Sequence, residues 1–191
     1  MPGRTPRAAV EAFMEPLRAA SSCITMSQWV CSSFKGDPVG ETHTVLLNRG
    51  DPVGFKIPDN KIFLEASIKF TVARQEKNVL GQPVGTADRY KVSTQGYMYS
   101  LSSSEDEEQI AWHWNPSGSS DVEYPHCHIG SAALNPSGLI KKKHHLRTGR
   151  MTFESVVFNM ITQWGVTPRN LNYEEILDEN QAAFDKWKSW G

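Results

Sequence analysis

The histidines are the residues of this chain best suited to chemistry, because five of the six lie between positions 113 and 145. His126 and His128 flank a single residue, so in a β-strand their side chains point to the same side. His113 stands between two tryptophans, and a strand that turns both indoles toward a core turns His113 away from it. If these two strands pair as a hairpin, the three imidazoles lie on one sheet face within cross-strand reach.

Metal binding is one chemistry that such a face supports. A His-x-His pair on one side of a strand is a common start of a Zn, Ni or Cu site, and His126 and His128 would supply its first two ligands. The candidates for a third ligand are His113, His144, His145 and Glu123. Glu123 fits least well, because strand parity points it to the other side.

General acid–base catalysis is a second chemistry for the same residues, because the ordinary pKa of imidazole lies near neutral pH. In phosphodiester cleavage, one of His126 and His128 would act as the base and the other as the acid, with His113 in support. A third interpretation stays open as well, in which the histidines are exposed polar residues of a half-buried sheet.

Residues 141–150, here called the basic segment, hold five Lys or Arg residues and two histidines but no acidic residue. Thr152 follows directly and is typical of a helix N-cap, where free N–H groups and the helix dipole favour a phosphate. Gly149 would allow the backbone to approach an anion closely. The alternative is a solvated, flexible loop. The predicted phosphate-binding residues are Lys143, His144, His145, Arg147 and Arg150.

The composition excludes several other classes of protein. A formal net charge of −1, from 20 Lys or Arg and 21 Asp or Glu residues, argues against a broad nucleic-acid-binding surface but not against a focused phosphate site. Three cysteines without a C-x-x-C pair argue against a disulfide framework and a zinc ribbon. No P-loop, nucleophile-elbow, zincin or dinucleotide-binding motif is present. No apolar run reaches the roughly 18 residues that span a bilayer, and the N-terminus has no apolar signal region, so we expect a cytoplasmic protein without a membrane partner.

The apolar periodicity predicts an α+β fold, an antiparallel β-meander of four to six strands with two C-terminal helices and an N-terminal helix packed on one face. Residues 1–55 hold the N-terminal helix and a short strand and are expected to belong to the same domain as the sheet and helices of residues 56–191. A change of apolar phase near Gly96 predicts a β-bulge. The predicted strands cover Thr42–Leu47, Lys61–Arg74, Arg89–Leu101, Ile110–Asn115 and Glu123–Ile129. The predicted helices cover Thr5–Ala20, the residues after Thr152 and the residues after Asn172.

One stretch combines an aromatic strand, an acidic turn and a histidine-rich strand, in the order Arg89-Tyr90-x-Val92, Glu105–Glu108, Trp112–Pro116 and Tyr124–Gly130. This order resembles the TumE-like toxin family of prokaryotic toxin–antitoxin pairs. The resemblance implies an RNA-directed toxin with a cognate antitoxin protein as partner, and the positions that carry over are His126 and His128. The chain departs from the family in its P-H-x-H spacing, and its long N-terminal region and basic segment have no counterpart there.

Three functional hypotheses follow from these residues. The leading one is a nucleic-acid-processing protein, a ribonuclease-like toxin that needs no cofactor and acts on RNA through His126, His128 and His113. The alternative is a metal-binding domain centred on His126 and His128, which would hold Zn or another divalent transition metal. The third is a non-enzymatic interaction protein whose basic segment binds an anionic partner.

Overall fold

The computed structural model describes residues 2–31, 39–76, 82–103, 107–116, 122–135 and 137–187. Within these ranges, the strands are β1 (Pro2–Gly3), β2 (Trp29–Cys31), β3 (Thr42–Leu47), β4 (Val53–Ile57), β5 (Asn60–Arg74), β6 (Tyr90–Ser102), β7 (Glu108–Trp114), β8 (His126–Ile129) and β9 (Leu146–Arg147). The helices are α1 (Pro6–Ser22), α2 (Phe153–Thr162) and α3 (Tyr173–Trp187). The predicted α+β class, with one N-terminal and two C-terminal helices, is confirmed.

The longest strand, β5, joins most of the sheet together. It pairs with β3 through its C-terminal half, with β4 through its N-terminal half and with β6 along most of its length. Its alternate apolar residues are all buried, as the period of two predicts: Ile62, Leu64, Ala66, Ile68, Phe70 and Val72. Polar residues such as Lys69 occupy its other face.

The sheet is larger than the four to six strands expected. In the described ranges nine strands form one antiparallel sheet in the order β2-β3-β5-β6-β7-β8-β9, with β1 beside β6 and β4 beside β5. Three of the additional strands, β1, β2 and β9, have only two or three residues, too few to show an alternating pattern. β4 begins directly after Pro52 and contains Gly54, and both residues are typical of turns.

The predicted bulge near Gly96 is confirmed in the pairing of β5 with β6. Lys69 pairs with Gly96 and Phe70 pairs with Thr94, so Gln95 is the extra residue. A Cβ atom on Gly96 would lie 2.7 Å from the carbonyl oxygen of Trp114, which explains the glycine there. β6 and β7 then form an antiparallel pair. Glu105 and Asp106 of the predicted acidic turn lie outside the described residues.

The three helices contact one another, and α1 packs against β5 and β6. Phe13 of α1 lies 5.2 Å from Phe70 between ring centroids, and Phe153 of α2 lies 5.9 Å from Tyr99. We call this side of the sheet the covered face. The opposite side is the open face, which carries Lys69 of β5 and on which the described residues place no helix.

Local sequence explains where two of the helices begin. Thr152 is the N-cap of α2, as predicted, and its hydroxyl oxygen accepts a hydrogen bond from the N–H of Ser155. Thr5 does the same for α1 through the N–H of Ala8. α1 continues through Pro16, which lacks a donor for the helix. None of the described helices is long and apolar enough to cross a membrane.

Candidate metal centre

The pairing of β7 with β8 brings the three predicted histidines to the open face. His113 pairs directly with His126, and His128 follows two residues further along the same side of β8. Trp112 pairs with Cys127, and both side chains pack toward the covered face, as the alternation predicts. The predicted juxtaposition of His113, His126 and His128 is therefore present, with each side chain positioned by a neighbour that belongs to the core.

The three imidazoles form a compact group, here called the histidine cluster. One ring nitrogen from each residue lies within 4.8 Å of the others. The ring centroids of His113 and His128 are 4.8 Å apart, as are those of His126 and His128. Elsewhere in the described ranges, no three His, Cys, Asp or Glu residues converge in this way. Glu123, considered as a third ligand, is exposed and outside the group.

The hydrogen bonds of His126 fix which of its nitrogens faces the cluster. Nδ1 lies 2.9 Å from the carbonyl oxygen of Tyr124, and because a carbonyl only accepts, Nδ1 donates the hydrogen and Nε2 of the neutral ring carries a lone pair. That Nε2 accepts a hydrogen bond from Nε2 of His128 at 3.1 Å, and a metal ion bound between the two rings would replace this bond. In a tetrahedral site with Zn–N bonds of about 2.0–2.1 Å, neighbouring nitrogens are roughly 3.3 Å apart. The two nitrogens thus stand near the separation of two ligands of one ion.

His113 has a buried ring nitrogen, Nε2, that lacks a hydrogen-bond partner among the described residues. Leaving such an atom unsatisfied costs about 1–3 kcal/mol, so buried polar atoms of this kind are normally matched to a partner. A metal ion bound at Nε2 would supply such a partner.

The cluster also lowers the basicity of its own rings. Burial, the largest cause, and the neighbouring His113, His145 and His126 together lower the pKa of His128 to about 4. Burial likewise lowers the pKa of His113, with contributions from His126 and His145. Both rings are therefore neutral at pH 7. A neutral imidazole can bind a metal ion or accept a proton, whereas the acid of an acid–base pair must begin protonated.

A fourth ring comes from the basic segment. The centroid of His145 lies 4.9 Å from that of His126 and 4.5 Å from that of His128. Its neighbour His144 is exposed, and its Nδ1 accepts a hydrogen bond from the N–H of Lys141 within a turn. Of the two adjacent histidines, the structure therefore brings only His145 to the cluster.

Comparisons with known proteins do not decide the function. No family model matches this sequence, and neither does any curated protein or solved structure. The resemblance to the TumE-like toxins stays a prediction.

The remaining residues predicted to bind phosphate are spread around the edge of the sheet. Lys143 is exposed in a turn. Arg147 pairs with His126 on the open face, and its guanidinium lies 5.3 Å from the centre of the Tyr124 ring. Arg150 lies 3.5 Å from the centre of the Trp114 ring, on the covered face. The basic segment thus passes from one face to the other, and its cations do not gather at the start of α2.

Sequence reasoning missed one ionisable residue at that helix start. Glu154 is 5% exposed and lines an apolar cavity of about 90 Å³, together with Tyr97, Tyr99 and Arg150. Burial raises its pKa from 4.5 to about 7. A signal was available, because Glu154 stands three residues before Val157 on the apolar side of α2.

Proposed function

We propose that the protein binds one divalent transition-metal ion, with zinc the best fit, through Nε2 of His126, Nε2 of His128 and a ring nitrogen of His113. The observation that carries this proposal is the 3.1 Å separation of the two Nε2 atoms, with the His126 tautomer set by the Tyr124 carbonyl. Imidazole suits zinc, and a hydrogen bond from the second ring nitrogen to a carbonyl is typical of histidine ligands.

Three imidazoles leave one position of a tetrahedral ion for water or substrate, which is the arrangement of catalytic zinc sites. Zinc in such a site lowers the pKa of its bound water to about 7, so the site would supply a hydroxide nucleophile near neutral pH. We therefore propose metal-assisted hydrolysis as the reaction class of this site, with a phosphodiester of RNA as the substrate.

The second candidate is RNA cleavage by the same histidines without a metal. The pair formed by Arg147 and Tyr124 supports an RNA substrate in either case, because it places a cation and an exposed aromatic ring beside His126. Single-stranded RNA is commonly bound by stacking on such rings and by contacts to its phosphates. The resemblance to TumE-like toxins adds an antitoxin protein as a proposed partner.

Zinc affinity of the protein, produced without a histidine tag, tests the first candidate. The measurement is competition with a chromogenic chelator for the wild type, His126→Ala and the matched control His144→Ala. We expect one zinc per chain in the wild type and in the control. His126→Ala loses a ligand and should bind zinc at least a hundredfold more weakly, a change of about 2.7 kcal/mol. Equal affinity of all three proteins would overturn the metal proposal.

Cleavage of a labelled RNA, with and without EDTA, separates the two candidates. Loss of cleavage in EDTA and its return on adding zinc would support the metal-assisted reaction. Cleavage that EDTA leaves unchanged but His126→Ala abolishes would favour the metal-independent reaction. Absence of cleavage under both conditions would contradict both enzymatic proposals.

The thiols are consistent with the cytoplasm, which we propose as the compartment. Cys23 and Cys127 are free thiols, and burial raises the pKa of both. Thiols that are buried and weakly acidic react slowly with oxidants and electrophiles. Free cysteines of this kind are ordinary in a reducing compartment.

A further inference from the structure

We propose that His145 is a detachable fourth ligand of the same metal ion, so that metal binding holds the basic segment against β8. The inference rests on the proposed metal site and adds to it a ligand from a different part of the chain. It also assigns two states to the site, one closed by His145 and one with an open position.

The first observation is the position of His145. Its ring is as close to His126 and His128 as those two rings are to each other, with centroid distances of 4.9, 4.5 and 4.8 Å. It approaches from β9, on the side of β8 opposite to His113. His126 and His128 thus each have His113 as a neighbour on the β7 side and His145 as a neighbour on the β9 side. His145 stands outside the group whose nitrogens lie within 4.8 Å of one another, so its ring would have to turn toward that group to bind the same ion.

The second observation is that the basic segment contains no buried residue. No residue from 137 to 150, a range that includes the basic segment, is buried. The large apolar side chains of this range are exposed, with Leu139 at 93% and Leu146 at 37%. β9 has only two residues, and one further backbone bond joins the N–H of Thr148 to the carbonyl of Pro125 at 2.9 Å. Segments with few buried contacts open at low free-energy cost, so a metal–nitrogen bond would be a large part of the attachment.

The ends of this stretch are fixed more firmly than its middle. Before it, the N–H of Gly130 donates to the carbonyl of Gln109 in β7. After it, the N–H of Met151 donates to the hydroxyl of Tyr97 at 2.8 Å, and Arg150 lies over Trp114. Residues 137–149, which include His145, could therefore leave β8 without the loss of any buried side chain.

The chemistry of zinc gives the two states different capacities. Four protein ligands make a closed site of the structural kind, whereas three ligands leave a position for water or substrate. Release of His145 would open that position and free the segment that carries Lys141, Lys142 and Lys143. The metal site would thereby link its own reactivity to the placement of the nearby cations.

Limited trypsin digestion with and without zinc measures this link directly, because trypsin cleaves after the lysines at 141–143. The proteins are the wild type, His145→Ala and His144→Ala, a matched pair of adjacent histidines of which only one faces the cluster. We expect zinc to slow cleavage at 141–143 at least fivefold in the wild type and in His144→Ala, and to leave the rate in His145→Ala unchanged. Cleavage after the exposed Arg169, between α2 and α3, reports any effect of zinc on trypsin itself.

Zinc affinity of the same proteins gives the second readout. Loss of one ligand should weaken binding at least tenfold in His145→Ala, since loss of an outer-shell partner alone costs about 10–100-fold. His145→Cys should restore both the affinity and the protection, because a thiolate is also a zinc ligand.

The outcomes separate this inference from the proposed function. If the wild type binds zinc but His145→Ala matches it in affinity or in zinc-dependent protection, the fourth ligand is wrong and the three-histidine site stands. If the wild type and His126→Ala bind zinc equally weakly, both proposals are wrong. Circular dichroism confirms that each variant is folded before it is compared.

Discussion

The two faces of β7 differ in chemistry, although their side chains come from neighbouring residues of the same strand. On the covered face, Trp112 and Trp114 are buried in the hydrophobic core. On the open face, His113 joins a cluster of polar rings. Burial of the two indoles fixes the register of β7 with its neighbouring strands, and that register places the histidines together. A slip of one residue would exchange the two sets.

Each face also holds an ionisable group that burial pushes toward its neutral form. Burial raises the pKa of Glu154 to about 7 on the covered face and lowers the pKa of His128 to about 4 in the cluster. The surroundings of the two groups differ. Glu154 lies in an apolar cavity, whereas His128 faces other nitrogen donors that a single cation would satisfy together. Burial therefore favours a neutral carboxyl group in an apolar cavity on one face, and a neutral imidazole among the nitrogens of the proposed metal site on the other.

Adjacent substitutions on β7 should have the largest and most contrasting effects. Trp112→Ala removes a core indole and should lower the free energy of unfolding by about 3–5 kcal/mol, with or without zinc. His113→Ala should change it by less than about 1 kcal/mol in EDTA. Zinc at 100 times its dissociation constant should raise the free energy of unfolding of the wild type by about 2.7 kcal/mol. At the same zinc concentration, His113→Ala should show no such increase.

Urea unfolding in EDTA and in zinc measures all of these values. The contrast between the faces fails if His113→Ala loses as much stability in EDTA as Trp112→Ala does. It also fails if zinc stabilises His113→Ala as much as it stabilises the wild type.

Glu154 should make the covered face sensitive to pH. Its pKa is about 7 in the folded chain and 4.5 in the unfolded chain, so the stability associated with its protonated form is complete below pH 4.5 and is lost as the pH rises through 7. The loss should approach about 3 kcal/mol. Glu154→Gln cannot ionise and should not lose stability in this way. The free energy of unfolding of the variant, relative to that of the wild type, should therefore increase from pH 4.5 to pH 8. A constant difference across that range would contradict the assignment.

The two N-cap threonines should differ in their contribution to stability, by a smaller amount than the residues above. Thr152 is buried, caps α2 and also donates a hydrogen bond to Oε1 of Gln181 at 2.6 Å, whereas Thr5 caps α1 at an exposed position. Thr152→Val should therefore cost about 1–2 kcal/mol, and Thr5→Val about 0.5–1 kcal/mol. Thermal unfolding of the two variants provides the comparison, and a larger cost at Thr5 would show that the covered face does not strengthen its cap.

The sequence predicts those parts of the structure that follow from the alternation of apolar and polar residues along a strand. Alternation identified β5 and the open-face position of His113, His126 and His128, because side-chain direction in a strand follows parity alone. The bulge near Gly96 was visible for the same reason, since it shifts that parity.

Tertiary pairing was not predictable in the same way. β9 has two residues and no period of its own, so its place beside β8 could not be read from the sequence, and neither could the choice between His144 and His145. The separation of Arg147 from Arg150 has the same origin, because the basic segment rounds the edge of the sheet between them. The position of Glu154 on the apolar side of α2 could be read from the sequence, but its apolar cavity could not, because residues of α1, α3 and β6 line that cavity.

X-ray absorption at the zinc edge of stoichiometrically loaded wild-type protein shows which atoms bind the ion. We expect a first shell of nitrogen or oxygen at about 2.0–2.1 Å. We also expect the outer-shell scattering of at least three imidazoles, reduced in His126→Ala. A shell that contains sulfur at about 2.3 Å, or one without imidazole scattering, would overturn the proposed histidine site.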